Sequence, residues 1–109
     1  ALKILQHDSV KVIQVGDTLR VIIPADKLFN PGSTLIRADG YQVLNHVNWF
    51  LERYGDVPLT VYAFSDKVFD DEYAKKITSA QAKRVVGYFW KKGHPFYHLF
   101  AIGMGNQFL

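Results

Sequence analysis

Apolar and polar residues alternate along two neighbouring runs near the start of the chain, Val10–Val15 and Thr18–Ile23. Alternation in runs rich in valine and isoleucine is typical of β-strands. The dipeptide Gly16-Asp17 separates the runs and predicts a tight hairpin turn. Pro24 predicts the end of the second strand, because proline cannot donate to a ladder of backbone hydrogen bonds.

A helical period replaces this alternation in two later segments. The spacing predicts helices over Ser33–Tyr54 and Thr78–Lys92, and each is followed by a glycine that favours a helix end. Short apolar runs at Leu59–Phe64 and His98–Gly103 predict two further strands. The apolar positions that carry the two helical periods are Tyr41, Leu44, Val47, Phe50, Leu51 and Tyr54, then Ala82, Val85, Val86 and Phe89.

The start of the second predicted helix carries a capping signal. In the tetrapeptide Thr78-Ser79-Ala80-Gln81, threonine stands three positions before glutamine. This is the capping-box pattern, in which each of the two side chains bonds to the backbone near the other residue. The pattern predicts Thr78 as the N-cap and gives Gln81 a local role.

The predicted order of elements is strand, strand, helix, strand, helix, strand. Parallel neighbours need a crossover connection, and each helix supplies one. The order therefore predicts an α+β fold, a two-layer sandwich with a mixed four-stranded sheet and both helices on one face.

Composition narrows the class of protein further. The 109 residues suit a single domain over 1–109, and 49% hydrophobic residues suffice for one core. The net charge of +3 is spread along the chain, so we expect no nucleic-acid partner. There is no apolar run long enough to span a bilayer, so membrane attachment is expected only through a lipid anchor upstream of Ala1. The absence of cysteine excludes disulfides.

No cofactor or catalytic group is indicated. The four histidines share no metal-ligand spacing on one predicted helix, so no metal site is expected. The sequence contains no nucleophile motif and no phosphate-binding glycine loop, which predicts that the protein is not an enzyme.

An ordered set of residues surrounds the predicted third strand and closes the chain. Its members are Leu28-Phe29-Asn30-Pro31-Gly32-Ser33, Ser65-Asp66, Tyr73, Ile77-Thr78, Ala82, Val85 and Gly103-Met104-Gly105. Together they resemble the OmpA-like, peptidoglycan-associated domain of Gram-negative envelope proteins. The resemblance covers about residues 10–106, and it implies the same α+β fold and a periplasmic, outer-membrane-associated location.

The resemblance also implies a ligand. Domains of this family bind the diaminopimelate of peptidoglycan stem peptides, whose free end carries an ammonium and a carboxylate. A carboxylate after the third strand takes the ammonium, and an arginine one turn into the second helix takes the carboxylate. Carried over by position, the ligand-binding residues would be Asp66 and Gln81, with contributions from Thr78 and from Asn30 in the preceding loop.

Three positions depart from the family pattern. Phe69 stands at a glycine, Ala74 at an asparagine and Gln81 at the arginine. Glutamine lacks the charge and the planar fork of arginine, so the resemblance implies a weakened site. An alternative source of the missing charge is Lys67, Lys75 or Lys76.

Each of these residues also has a purely structural interpretation. Asp66 is either the ammonium ligand or a turn residue that bonds to local amides. Asn30 precedes a proline, which is also ordinary turn chemistry. Two functions follow: a module that anchors an outer-membrane complex to peptidoglycan, or a structural subunit that contacts other proteins of an envelope secretion assembly. A lipoprotein of a type IVB (Dot/Icm) system would be an example.

Overall fold

The computed structural model describes residues 2–107 and contains a mixed sheet and two long helices. The α+β prediction is confirmed, although the sheet has five strands and not the predicted four. The strands lie side by side in chain order. The elements are β1 (Leu2–His7), β2 (Val10–Val15), β3 (Thr18–Pro24), α1 (Ala38–Leu51), β4 (Leu59–Phe64), α2 (Asp71–Lys91) and β5 (Leu99–Gly103).

The strand missing from the prediction is β1, which pairs antiparallel with β2. Asp8 and Ser9 form the turn between these strands with φ angles of 49° and 68°. Two left-handed residues suit a tight hairpin turn, and aspartate adopts this conformation more readily than most residues. This turn contains no glycine, whereas the predicted hairpin between β2 and β3 was recognised by Gly16 in its turn.

The other strands follow the prediction closely. β2 and β3 form the expected hairpin, in which Val15 pairs with Thr18 across Gly16-Asp17. β3 pairs parallel with β4, and β4 pairs parallel with β5. The connections run through α1 and α2, so the helices provide both crossovers.

The first helix is shorter than predicted. It begins at Ala38, whereas the prediction placed its start at Ser33. Residues 33–37 form a loop instead, and Ile36 pairs with Phe29 in an isolated antiparallel bridge. The loop is held by Arg37, whose guanidinium donates to the carbonyls of residues 26 and 29, each at 2.9 Å.

The second helix begins seven residues before the predicted start. Its N-cap is Asp70, whose Oδ1 accepts from the backbone N–H groups of Glu72 at 3.1 Å and Tyr73 at 3.4 Å. The prediction of Thr78 as the cap is therefore wrong. An aspartate cap followed by further acids suits a helix N-terminus, where the backbone dipole favours negative charge.

A single cluster of buried apolar side chains joins the sheet to both helices. Along β4, every second residue is buried, so one face of the strand meets the core. Since the cluster also takes in the buried residues of α1 and α2, both helices lie on that face, as predicted. Its fully buried members include Phe29, Leu44, Val61, Val85 and Phe89.

Helix α2 lies unusually close to the last strand. A Cβ built on Gly103 would stand 2.2 Å from the backbone nitrogen of Ser79, so only glycine fits there. This contact places the middle of α2 directly over the carboxyl ends of β4 and β5. The segment in which a ligand site was predicted lies at this end of the sheet.

Candidate functional site

Asp66 lies in the loop that leaves β4. The loop is tied to the end of the chain, since the Ser65 amide donates to the Gly105 carbonyl at 2.9 Å. The Asp66 side chain is 63% exposed, and its Oδ1 lies 3.9 Å from Nζ of Lys67. An exposed pair of this kind contributes little to stability, so the carboxylate is available to a ligand from solvent.

Gln81 is buried, with 2% of its surface exposed. Its Nε2 donates to the Ser33 carbonyl at 2.9 Å, a contact between α2 and the loop before α1. Its Oε1 is enclosed and accepts no hydrogen bond from the described residues. The predicted capping-box role is therefore wrong, because Gln81 is ten residues into α2 and its amide bonds to a distant loop.

Thr78 is fully buried and lies one turn before Gln81. Its hydroxyl donates to the Ala74 carbonyl at 2.7 Å and accepts from the Gly105 amide at 2.9 Å. Bonding back to the preceding turn is common for a threonine inside a helix. The second bond joins α2 to the segment that follows β5, so Thr78 has a structural role and no exposed hydroxyl.

Asn30 is exposed and begins the turn that brings the loop against α2. Its carbonyl accepts from the Ser33 amide at 2.9 Å, and Gly32 has a φ of 73° in the same turn. Turn chemistry therefore explains the backbone of this residue. Asn30 also lines a notch together with Gln81.

A small notch joins these features. Its walls include Asn30, Ser65, Lys67 and Gln81, and its volume is about 10 Å³. That is the space of roughly one water molecule. The structure thus brings Asn30 and Gln81 together in one notch. Asp66 does not line the notch, although its two sequence neighbours do. Thr78 does not line it either.

The remaining two departures from the family pattern do not close the notch. The Phe69 side chain is 91% exposed and points into solvent. Ala74 is buried on the face of α2 that packs inward. Residues 30–32 form one wall of the notch, and Gln81 bonds to the next residue of the same loop, Ser33.

Sequence reasoning missed the two arginines that fix this loop. Arg84 Nε donates to the Thr34 carbonyl at 2.9 Å, one helical turn beyond Gln81. Arg37 also forms an ion pair with Asp39 at 2.9 Å, which raises the pKa of Arg37 and lowers that of Asp39. Arg84 and Thr34 are 50 residues apart, so no local sequence pattern identifies their contact.

The histidines lie apart from the notch. His98 Nδ1 is 2.5 Å from the Asp56 carboxylate, and the rings of His7 and His46 stack with centroids 4.1 Å apart. Among residues 2–107, no three metal-binding side chains come together. Within the same range, no helix is both long and apolar enough to span a bilayer.

The fold and the position of the site define a class of protein. Its members have a mixed sheet, two crossover helices and a candidate site where β4 ends beside α2. Residues 28–108 match the OmpA family, and the chain belongs to that family.

The chain is also similar to curated proteins and to a solved structure. Outer membrane protein A of Serratia marcescens is 32% identical over 94 residues, which are 84% of this chain and 26% of that protein. Photosystem I P700 chlorophyll a apoprotein A2 of Gloeobacter violaceus is 27% identical over 96 residues, 88% of this chain and 11% of that protein.

The fold is similar to that in a crystal structure of a MotB-like protein from Desulfovibrio vulgaris. It has a TM-score of 0.66 at 21% identity and covers 93% of this chain and 60% of that one. The chain spans about a quarter or less of the Serratia marcescens and Gloeobacter violaceus proteins, so the similarity to them concerns one module of longer proteins.

Proposed function

We propose that residues 1–109 act as one OmpA-like module in the periplasm, where the module associates an outer-membrane complex with peptidoglycan through a weakened, non-covalent site. Family membership supports the association with the cell wall. The single observation that supports the weakening is Gln81, which places a buried neutral amide where the family has an arginine.

The proposed site is asymmetric in charge. Asp66 offers an exposed carboxylate to the ammonium of diaminopimelate. The carboxylate of the ligand would face the Gln81 amide, whose Nε2 already donates to the Ser33 carbonyl. Loss of a charge-assisted bidentate contact costs about 1.5–3 kcal/mol, which corresponds to a roughly tenfold to hundredfold loss of affinity.

A pull-down with purified insoluble peptidoglycan tests this function. The native protein should remain largely in the supernatant, and Gln81→Arg should raise the bound fraction. Gln42→Arg is the matched control, because it adds the same charge on the exposed face of α1. Complete sedimentation of the native protein, or an equal gain from the control, would refute a weakened site at Gln81.

The notch supports an alternative function. At about 10 Å³ it is too small for a ligand end group unless the loop of residues 30–34 moves. On this reading the fold serves as a structural subunit of an envelope secretion assembly and contacts other proteins, as in a type IVB lipoprotein. Absence of peptidoglycan binding from both native protein and Gln81→Arg would favour this alternative.

A further inference from the structure

A groove of about 460 Å³ lies where α2 meets α1 and the loop before it. Two aromatic rings form part of its wall, those of Tyr41 and Tyr88, with centroids 6.1 Å apart. Three cations from α2 also line it: Lys83, Arg84 and Lys91. All of its lining residues belong to the described range, and none of them carries a carboxylate.

The charges of the groove are unneutralised in the described part of the chain, where none of the three cations forms an ion pair. Arg84 uses one nitrogen on the Thr34 carbonyl and has the rest of its guanidinium free for another partner. The Tyr88 hydroxyl donates to Asn45, and burial with the nearby Glu52 charge raises the pKa of Tyr88 to about 12. The rim of the groove is therefore positively charged. The surface between the charges is aromatic, apolar and uncharged.

Gly87 lies in the wall of this groove, in the interior of α2. Glycine destabilises a helix interior relative to alanine, so it is usually retained where a side chain would clash. A Cβ built on Gly87 meets no atom within 4 Å. Packing within the described residues therefore does not require glycine here, and the wall of the groove is open beside it.

The loop before α2 presents complementary chemistry. Phe69 is 91% exposed, and Asp71 and Glu72 follow it in the first turn of the helix. Asp70 is already engaged as the N-cap. We call residues 69–72 the acidic tip. The Asn106 side chain donates to the Val68 carbonyl at 3.3 Å, which fixes the base of the tip to the end of the chain.

We propose that the groove of one copy of this chain receives the acidic tip of a second copy. Phe69 would pack against the aromatic wall beside Gly87, and the free carboxylates of Asp71 and Glu72 would meet the cations at the rim. Charge complementarity and the matching of one exposed ring to one open space support this occupant. The inference concerns self-association and does not depend on peptidoglycan binding.

The two parts cannot meet within one molecule. Sixteen residues of α2 separate Asp71 from Gly87, and at 1.5 Å per residue that is about 24 Å along a rigid helix. The contact is therefore head to tail, since tip and groove are different surfaces. Because one tip covers much less area than a stable interface, we expect association at concentrations on the order of 0.1–1 mM.

Sedimentation experiments with charge-reversed variants test the proposal. The weight-average mass of the native protein should rise with concentration, and both added salt and Phe69→Ala should suppress the rise. Asp71→Lys with Glu72→Lys, and separately Lys83→Glu with Lys91→Glu, should each remain monomeric. A mixture of the two double variants should associate again, because each tip then has a groove of opposite charge.

Lys3→Glu with Lys11→Glu is the matched control for the groove variant, since it lowers the net charge by the same amount on β1 and β2 and should leave association unaltered. A native protein that is monomeric throughout the range would overturn the proposal. Association that persists in both double variants would also overturn it, and would direct attention to the open face of the sheet. Circular dichroism of each variant confirms that the comparison is between folded proteins.

Discussion

Thr78 shows how one residue serves a role different from the one its neighbours indicate. Its hydroxyl accepts from the Gly105 amide at 2.9 Å in a fully buried position and so links α2 to the segment after β5. A buried amide without a partner is costly, because the water that it loses on folding is not replaced. The importance of the residue therefore rests on a tertiary contact and not on a helix cap.

Thr78→Val removes this hydroxyl and keeps the shape of the side chain. We expect a loss of about 1–3 kcal/mol in the free energy of unfolding, because the Gly105 amide is left without its acceptor. Urea unfolding of the native protein and the variant measures the difference. Thr78→Ser retains the hydroxyl and should preserve the bond, so a larger loss in the serine variant than in the valine variant would contradict this role.

At the scale of elements, the start of α2 illustrates a competition between two capping signals. Both Asp70 and Thr78 are good N-cap residues, and only Thr78 stands before a clear apolar period. The first two turns of α2 are mostly polar because they extend beyond the core, with Ala74 their one fully buried side chain. A rule based on apolar spacing therefore places the helix start too late.

Removal of the true cap should destabilise the protein. Asp70→Ala leaves the amides of Glu72 and Tyr73 without their acceptor, at a cost of about 0.5–2 kcal/mol. Asp71→Ala is the matched control, since it removes an acid one position later without removing the cap. Equal denaturation midpoints for Asp70→Ala and the native protein would show that the helix begins elsewhere.

At the scale of the whole molecule, strands and crossovers could be predicted because they depend on local alternation and on chain order. β1 could not be recognised because its turn, Asp8-Ser9, uses positive φ angles without glycine. The family pattern placed the candidate site at the end of β4, yet the structural role of Gln81 was not visible in the sequence. Its partner, Ser33, lies 48 residues away, and no local pattern encodes such a contact.

Stability of the whole fold should depend on pH through His94. Burial lowers the pKa of His94 below its ordinary value, and the ring nitrogen Nε2 lies 2.7 Å from Asn48 Oδ1. The unfolded chain therefore binds a proton at a higher pH than the folded chain does. The contribution of His94 is fully present above the unfolded pKa of about 6.5 and is lost as the pH falls below it toward the folded pKa.

Comparison with His94→Gln isolates this contribution from those of the other ionisable groups. Between about pH 7 and pH 5, the free energy of unfolding should fall more steeply for the native protein than for the variant. Urea unfolding at several pH values measures both slopes. Parallel slopes would show that His94 titrates alike in the folded and unfolded states.

The proposed function depends on Gln81 weakening a site in which Asp66 persists. Calorimetric titration with a diaminopimelate stem peptide measures this most directly, on the native protein, Gln81→Arg and Gln81→Arg with Asp66→Ala. We predict weak or no binding by the native protein, a roughly tenfold to hundredfold gain from the arginine, and loss of that gain with Asp66→Ala. Tight binding by the native protein, or no gain from the arginine, would contradict the account.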